Sequence, residues 1–357
     1  MKLFEYEGKM LYQKAGIPIP KSFLLKKSVD VAHIPKSWKQ VMLKAQLLQG
    51  GRGKAGLVKR VTRDNAKASV AQMFKQSLKG ERVKTILAEE VLGIKQEHYI
   101  AWMLDRDSCA FRLIYSACGG TDIEYLAKHN PKAIIQHVGP DESIAKKLPK
   151  KIRSIAKKLF HVLKANDATL AEINPLIETT RGSLIAADAK VSIDDNALFR
   201  HEEWLAEQQA RQTPAERIAQ KMDVHYVPLG GDVGVVGNGA GLIMATLDLL
   251  KQKGLKPADF LDVRGGASAE AMQRSLEIVW KLKPRALFIN IFAGITHADL
   301  MAKGIIAFKR EYKVNVPIVV RMIGTHESQA AVMLKQENIT PVRSLEEGIA
   351  KLAKVLA

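Results

Sequence analysis

The chain has 357 residues, 47% of them hydrophobic and 26% charged, with a formal net charge of +18. That composition suits a soluble protein with two domain cores and excludes disordered, collagen-like and disulfide-stapled classes. No run of about 18 apolar residues occurs, and Phe4-Glu5-Tyr6-Glu7 stands where the apolar segment of a secretion signal would begin, so the sequence predicts a cytoplasmic protein without a membrane span.

The first half reads as a mixed α+β domain. Residues 5–15 form a helical pattern closed by Gly16, "GIPIP" is extended, and strands are expected at 41–45, 57–61, 86–91, 98–104 and 111–116. Between the first two of these strands lies "QLLQGGRGKAG". A P-loop requires Gly, four residues, then Gly-Lys-Ser/Thr and a helix. Here Leu48 occupies the first glycine position, Ala55 follows Gly53-Lys54, and Leu57-Val58-Lys59-Arg60-Val61 continues as a strand. The expected element is therefore a strand–glycine loop–strand hairpin, whose bare N–H groups could close over a triphosphate or simply form a basic turn.

The positive charge is uneven: residues 1–200 hold 35 Lys and Arg against 20 Asp and Glu, and residues 201–357 hold 20 against 17. Much of the excess lies on "KKLPKKIRSIAKKLFHVLK", where Ile152, Ile155, Ala156, Leu159, Phe160 and Leu163 make one apolar helical face and the lysines the other. No nucleic-acid-binding motif accompanies it, so a basic nucleic-acid-binding protein is the minor reading.

"AEINPLIETTRGSLIAADAK" predicts a hairpin turning at Thr180-Arg181-Gly182. Counting outward sets Thr179 opposite Ser183, Asn174 opposite Asp188 and Glu172 opposite Lys190. Opposed side chains share a face about 4.5–5.5 Å apart at Cβ, so the Asn174 amide oxygen and the Asp188 carboxylate could hold a hard cation such as Mg2+; an ordinary polar pair is the alternative. Glu89 and Glu97 are further carboxylates, suited to a nucleotide's amino and hydroxyl donors or to exposed strand ends.

Residues 203–222 read as a polar helical connector, and the boundary is set near 215, giving domains 1–215 and 216–357. Beyond it, strand patterns at 232–237, 260–263, 285–292, 316–322 and 339–342 alternate with helices, which predicts a five-stranded doubly wound parallel sheet. Glycine-bearing segments 237–241, 264–266, 293–296 and 323–326 fall at the carboxyl ends, where such sheets bind ligands. Asp262 stands at the distance of a ribose-binding acid, but Leu242 and Val236 break both registers of G-x-G-x-x-G, which argues against a dinucleotide. His297 and His326 lie on these loops.

Across nearly its whole length the sequence resembles the β subunit of succinate–CoA ligase. The resemblance rests on "LFEYEGKMLYQKAGIPIP", "LKAQLLQGGRGKAGLVK", "AEINPLIE", "DNALFR", "NGAGLIMATLD", "NIFAGITHADL" and "NVPIVVRMIGT", in the family's order. It implies an ATP-grasp domain followed by a flavodoxin-like ligase domain. It further implies that Lys44, Gly51, Arg52, Gly53, Glu89 and Glu97 bind ATP, that Asn174 and Asp188 hold Mg2+, and that Asn238, Gly294, Ile295 and Thr296 line the carboxylate site. The reaction implied is reversible, ATP-driven formation of succinyl-CoA from succinate and CoA, as in the tricarboxylic acid cycle. The resemblance also implies a phosphohistidine carried by a separate α subunit, in an αβ or α2β2 assembly; the sequence is consistent with that division, since no histidine here lies in a Gly-His-Ala-Gly setting. The family's three glycines are here Arg264-Gly265-Gly266, a second glycine is Ala293, and its Val-Arg is Thr296-His297. These departures keep a malate–CoA ligase β subunit as the alternative substrate reading. Outside the family, a stand-alone ATP-grasp carboxylate–amine ligase is the competing enzyme class.

Overall fold

A computed structural model describes residues 1–356 and divides the chain into two compact units, Met1–Ala206 and the remainder from Glu207. Among the described residues no helix is long and apolar enough to cross a membrane.

In the first unit α1 (Glu5–Lys14) leads to β1 (Ser22–Leu25), β2 (Gln40–Ala45) and β3 (Val58–Thr62). Then come α2 (Arg63–Met73), the two-residue strands β4 (Ser77–Leu78) and β5 (Glu81–Arg82), and β6 (Ile86–Glu90). An antiparallel sheet of order β1-β6-β2-β3 results. Period-two alternation sends Val41, Leu43 and Ala45 into a core with Ala66, Val70 and Met73 of α2. Lys44 is thereby turned to the opposite face. Gly16, at φ 73°, follows α1 in the left-handed conformation that closes a helix.

A second sheet contains β7 (Ile94–Asp105), β8 (Ala110–Ser116), β9 (Ile134–Gly139), β10 (Ala168–Thr179), β11 (Leu184–Ala186) and β12 (Lys190–Ile193), with α3 (Ile123–His129) and α4 (Arg153–Ala165) interposed. Its order is β11-β10-β7-β8-β9, and β12 also pairs with β10. The expected amphipathic helix is α4: Ile155, Ala156, Leu159 and Phe160 are buried, and Trp102 of β7 donates from Nε1 to the Ala156 carbonyl at 2.8 Å. Strands β1 and β9 and helices α2 and α3 were not among the expected elements. β9 lies at a sheet edge with none of its residues fully buried, so it lacks the alternation that marks a half-buried strand.

Helix α5 (Glu202–Arg211) carries the chain across the division, and α6 (Pro214–Lys221) spans residue 215, where the boundary was expected. The second unit continues through β13 (His225–Pro228), β14 (Val233–Gly237), α7 (Ala240–Gln252), β15 (Asp259–Asp262) and α8 (Ala269–Trp280). It ends with β16 (Ala286–Ala293), α9 (Ala298–Glu311), β17 (Ile318–Gly324), α10 (Glu327–Gln336), β18 (Thr340–Val342) and α11 (Leu345–Leu356). The sheet order is β13-β15-β14-β16-β17-β18. Without β13, the parallel strands run second-first-third-fourth-fifth, the flavodoxin-like order. The expected five strands are all present; the correction is a sixth, β13, which pairs antiparallel with β15. Its exposed edge position removes the apolar run by which a buried parallel strand is read.

Candidate active site

The first unit concentrates charge between its two sheets. Lys44 reaches Glu5 at 2.8 Å and Glu89 at 2.9 Å, and its ammonium also donates to the Ala187 carbonyl. Lys9, 2% exposed, joins Glu5 at 2.8 Å and the Ala187 carbonyl at 2.7 Å and contacts Glu89 as well. Arg52, from the glycine loop, bonds Glu5 at 2.8 Å and reaches Asp188 at 3.3 Å. Three cations thus meet three carboxylates.

Register explains the convergence. On antiparallel β2 and β6, Lys44 stands opposite Leu87 and Met42 opposite Glu89, so Lys44 and Glu89 are diagonal neighbours on one face. Glu5 and Lys9 are one turn apart on α1, on the same helical face. The expected hairpin register holds: Leu176 pairs with Ala186 and Glu172 with Lys190, which brackets Asn174 and Asp188 as opposed residues, and Thr179 N–H donates to the Ser183 carbonyl at 2.8 Å.

Burial shapes the electrostatics. Taken alone it would raise Glu5, but Lys44, Lys9 and Arg52 hold its carboxyl well below the usual range. Burial would likewise lower Lys44, yet Glu5, Glu89 and Asp188 keep it above its ordinary value, so it remains cationic. Asp188 differs. Burial and the neighbouring Glu5 carboxylate push it up to about 6, against the opposing pull of Lys44 and Arg52. Its side chain still retains about a third of its exposure, which leaves it accessible to solvent.

The glycine loop covers this cluster as a strand–loop–strand connection, with Gly51 at φ 92° and open space where a Cβ would stand on Gly51 or Gly53. Its Lys54 faces Asp122 at 3.4 Å, on the loop that follows β8. That second loop was not foreseen as functional. Gly120 donates its N–H to Asn174 Oδ1 at 2.8 Å, Asn174 Nδ2 donates to the Thr121 carbonyl at 2.9 Å, and a Cβ on Gly120 would stand 2.3 Å from Glu97 Oε2. Asn174 and Glu97 are therefore brought to one loop. Glu89, by contrast, is 2% exposed and committed to Lys9 and Lys44. Glu5 and Lys9 also escaped assignment. Their signal was a Glu-to-Lys pair at i, i+4 on a helix carrying buried charge, which sequence alone reads as a surface pair.

In the second unit, Asn238 follows β14 and makes two hydrogen bonds to Phe292 at the end of β16, each 2.8 Å. This lies at the β14/β16 switch point of the sheet, the place where such folds open a ligand crevice. Gly294 and Ile295 are exposed, Ile295 by 90%, whereas Thr296 is buried and accepts a 2.7 Å hydrogen bond from Gly266 N–H. Asp262 accepts from Gly239 and Arg264 N–H, both at 2.8 Å, and braces the loops.

Two family models match the chain: an ATP-grasp domain over residues 2–178 and a CoA-ligase domain over 236–353. The β subunit of ADP-forming succinate–CoA ligase from Methanocaldococcus jannaschii is 40% identical over 373 residues, covering all of both chains. The chain belongs to the succinate–CoA ligase β-subunit family. The GDP-forming counterpart from Thermus thermophilus is 39% identical, covering 94% of this chain and 93% of that one. ATP citrate lyase from Methanothrix soehngenii, solved with citrate and coenzyme A, shares the fold at a TM-score of 0.73 over 99% of each chain, with 17% identity. The chain is accordingly a ligase subunit with an ATP-grasp domain followed by a CoA-ligase domain.

Proposed function

We propose that the chain is the nucleotide-binding subunit of a cytoplasmic succinate–CoA ligase, which couples reversible ATP cleavage to succinyl-CoA formation through a phosphohistidine on a separate α chain. The observation that carries this reading is the buried Lys44–Glu5–Arg52–Asp188 cluster under an open glycine loop. Three cations balanced only by internal carboxylates are poised to exchange partners. A triphosphate entering beneath Gly51 and Gly53 competes with Asp188 for Arg52 and with Glu5 for Lys44, and these charge-assisted bonds orient its terminal phosphate. Glu89, itself fixed by Lys9, holds Lys44 in place, and Glu97 accepts from the ribose or base.

The donor set fits Mg2+. Asn174 and Asp188 offer hard oxygens on one face of the hairpin, and the Asp188 side chain keeps about a third of its exposure. Mg2+ held there would neutralise charge on the transferring phosphates. In the second domain, Asn238, Gly294, Ile295 and Thr296 are proposed to receive the carboxylate. We set the working domains at 1–215 and 216–357.

The test is a reconstitution. Purified alone, the chain should bind Mg-ATP and form no acyl-CoA; adding a CoA-binding α chain with its histidine should restore turnover with succinate. Full turnover by the chain alone would sink the two-chain reading.

A further inference from the structure

The β16–α9 and β17–α10 connections bring two histidines and an aspartate together. One ligand atom each from His297, Asp299 and His326 lies within 4.8 Å of the others, and the imidazole centroids are 4.9 Å apart. The two connections are tied by a 3.0 Å hydrogen bond from Ala298 N–H to the Thr325 carbonyl, which fixes the spacing of the side chains they carry. Asp299 lies in the first turn of α9 and is 8% exposed. Its buried Oδ1 accepts no hydrogen bond: His326 Nδ1 stands 3.2 Å away but out of alignment, while Lys303 lies 3.8 Å from Oδ2. A buried carboxylate oxygen without a donor has lost its hydration with nothing in return, and a cation at that point removes the penalty.

We propose that His297, Asp299 and His326 form a binding site for a divalent transition metal of the zinc class. Two imidazoles and one carboxylate select such an ion over Mg2+ or Ca2+, which take oxygen donors. Bonds of about 2.0–2.1 Å place tetrahedral donors about 3.3 Å apart, so closure from the observed spacing calls for modest ring rotations. Both histidines are exposed, His326 with 48% of its side chain accessible, so they are free to make them. Three protein donors leave a fourth position, where water or an anionic oxygen completes the shell. None of the three residues enters the ATP reading.

The test uses the full chain, untagged and stripped of metal by a chelator. Co2+ is added and followed by its visible absorption and by native mass spectrometry, with Zn2+ in competition. One equivalent should bind, Zn2+ should displace it, and excess Mg2+ should not. His297→Asn and His326→Asn should each weaken binding by about tenfold or more; asparagine tolerates the left-handed backbone of His326, at φ 65°. Asp299→Asn keeps the buried shape and should do the same; thermal unfolding is measured beside each titration. Should Asp299→Asn not fold, the two histidine variants decide. Absence of stoichiometric binding, or equal affinity in the parent chain and both histidine variants, overturns the site.

Discussion

Glu5 accepts from Lys9, Lys44 and Arg52 at once, so it is the pivot of the first unit's charge cluster. Removing one member of a buried ionic group leaves its partners uncompensated, and Glu5→Gln should destabilise the chain by about 3 kcal/mol in chemical denaturation. The pH dependence follows from its depressed carboxyl. The stability Glu5 supplies is present above its unfolded value of about 4.3 and is lost as pH falls through the lower folded value, so the variant should show a shallower acid limb. Asp259 has the opposite sign. Its side chain is fully buried with one acceptor role, toward Val235 N–H at 3.0 Å, and burial pushes it up to about 8. The folded chain therefore holds a proton that the unfolded chain releases above about pH 4, and this residue's contribution falls as pH rises to about 8. Measured by urea unfolding between pH 5 and 8, the parent should lose ground to Asp259→Asn by at most about 1.4 kcal/mol per pH unit. A constant difference would show that Asp259 does not titrate in that window.

At the scale of elements, the loop after β8 acts as a clamp. Gly120 sits at φ 69°, binds Asn174 through its N–H and leaves no room for a Cβ beside Glu97. Gly120→Ala would both strain the backbone and displace the carboxylate. ATP affinity should weaken by about tenfold, about 1.4 kcal/mol, with Lys44 and the glycine loop intact. Calorimetric titration with Mg-ATP checks this, and unchanged affinity would remove the loop from the nucleotide site. A second element-level point concerns Arg264, which occupies a left-handed conformation at φ 60°, where glycine would be free of strain. Its guanidinium contacts Asp223 and lies 2.7 Å from His225 Nε2, contacts that a glycine could not supply.

For the whole molecule, the two proposed sites lie in different units, and nucleotide binding should be visible in only one of them. Hydrogen exchange with and without Mg-ATP should show added protection at residues 44–57, 119–121 and 174–188. The loops at 238–239 and 294–296 should be unchanged in the isolated chain. Protection confined to the second unit would reverse the assignment of the domains.

The sequence by itself determined what depends on local spacing. Short apolar strand patterns gave β2, β3, β6, β7 and β8, the αβ alternation gave the parallel sheet, and the Thr180-Arg181-Gly182 turn set the Asn174–Asp188 register. These signals survive because strand alternation and turn chemistry are properties of neighbouring residues. The charge cluster was of another kind. Glu5, Lys9, Lys44, Arg52, Glu89 and Asp188 lie up to 183 positions apart, and only the packing of α1 and the hairpin onto the face of β2 and β6 makes them one site. The same holds for β13, an edge strand recognisable only by the partner it pairs with, and for His297, Asp299 and His326, which two separate loops bring within reach. Tertiary structure decided these because desolvation and Coulombic coupling depend on which charges meet in space, and a buried ion pair has the same letters in sequence as an exposed one.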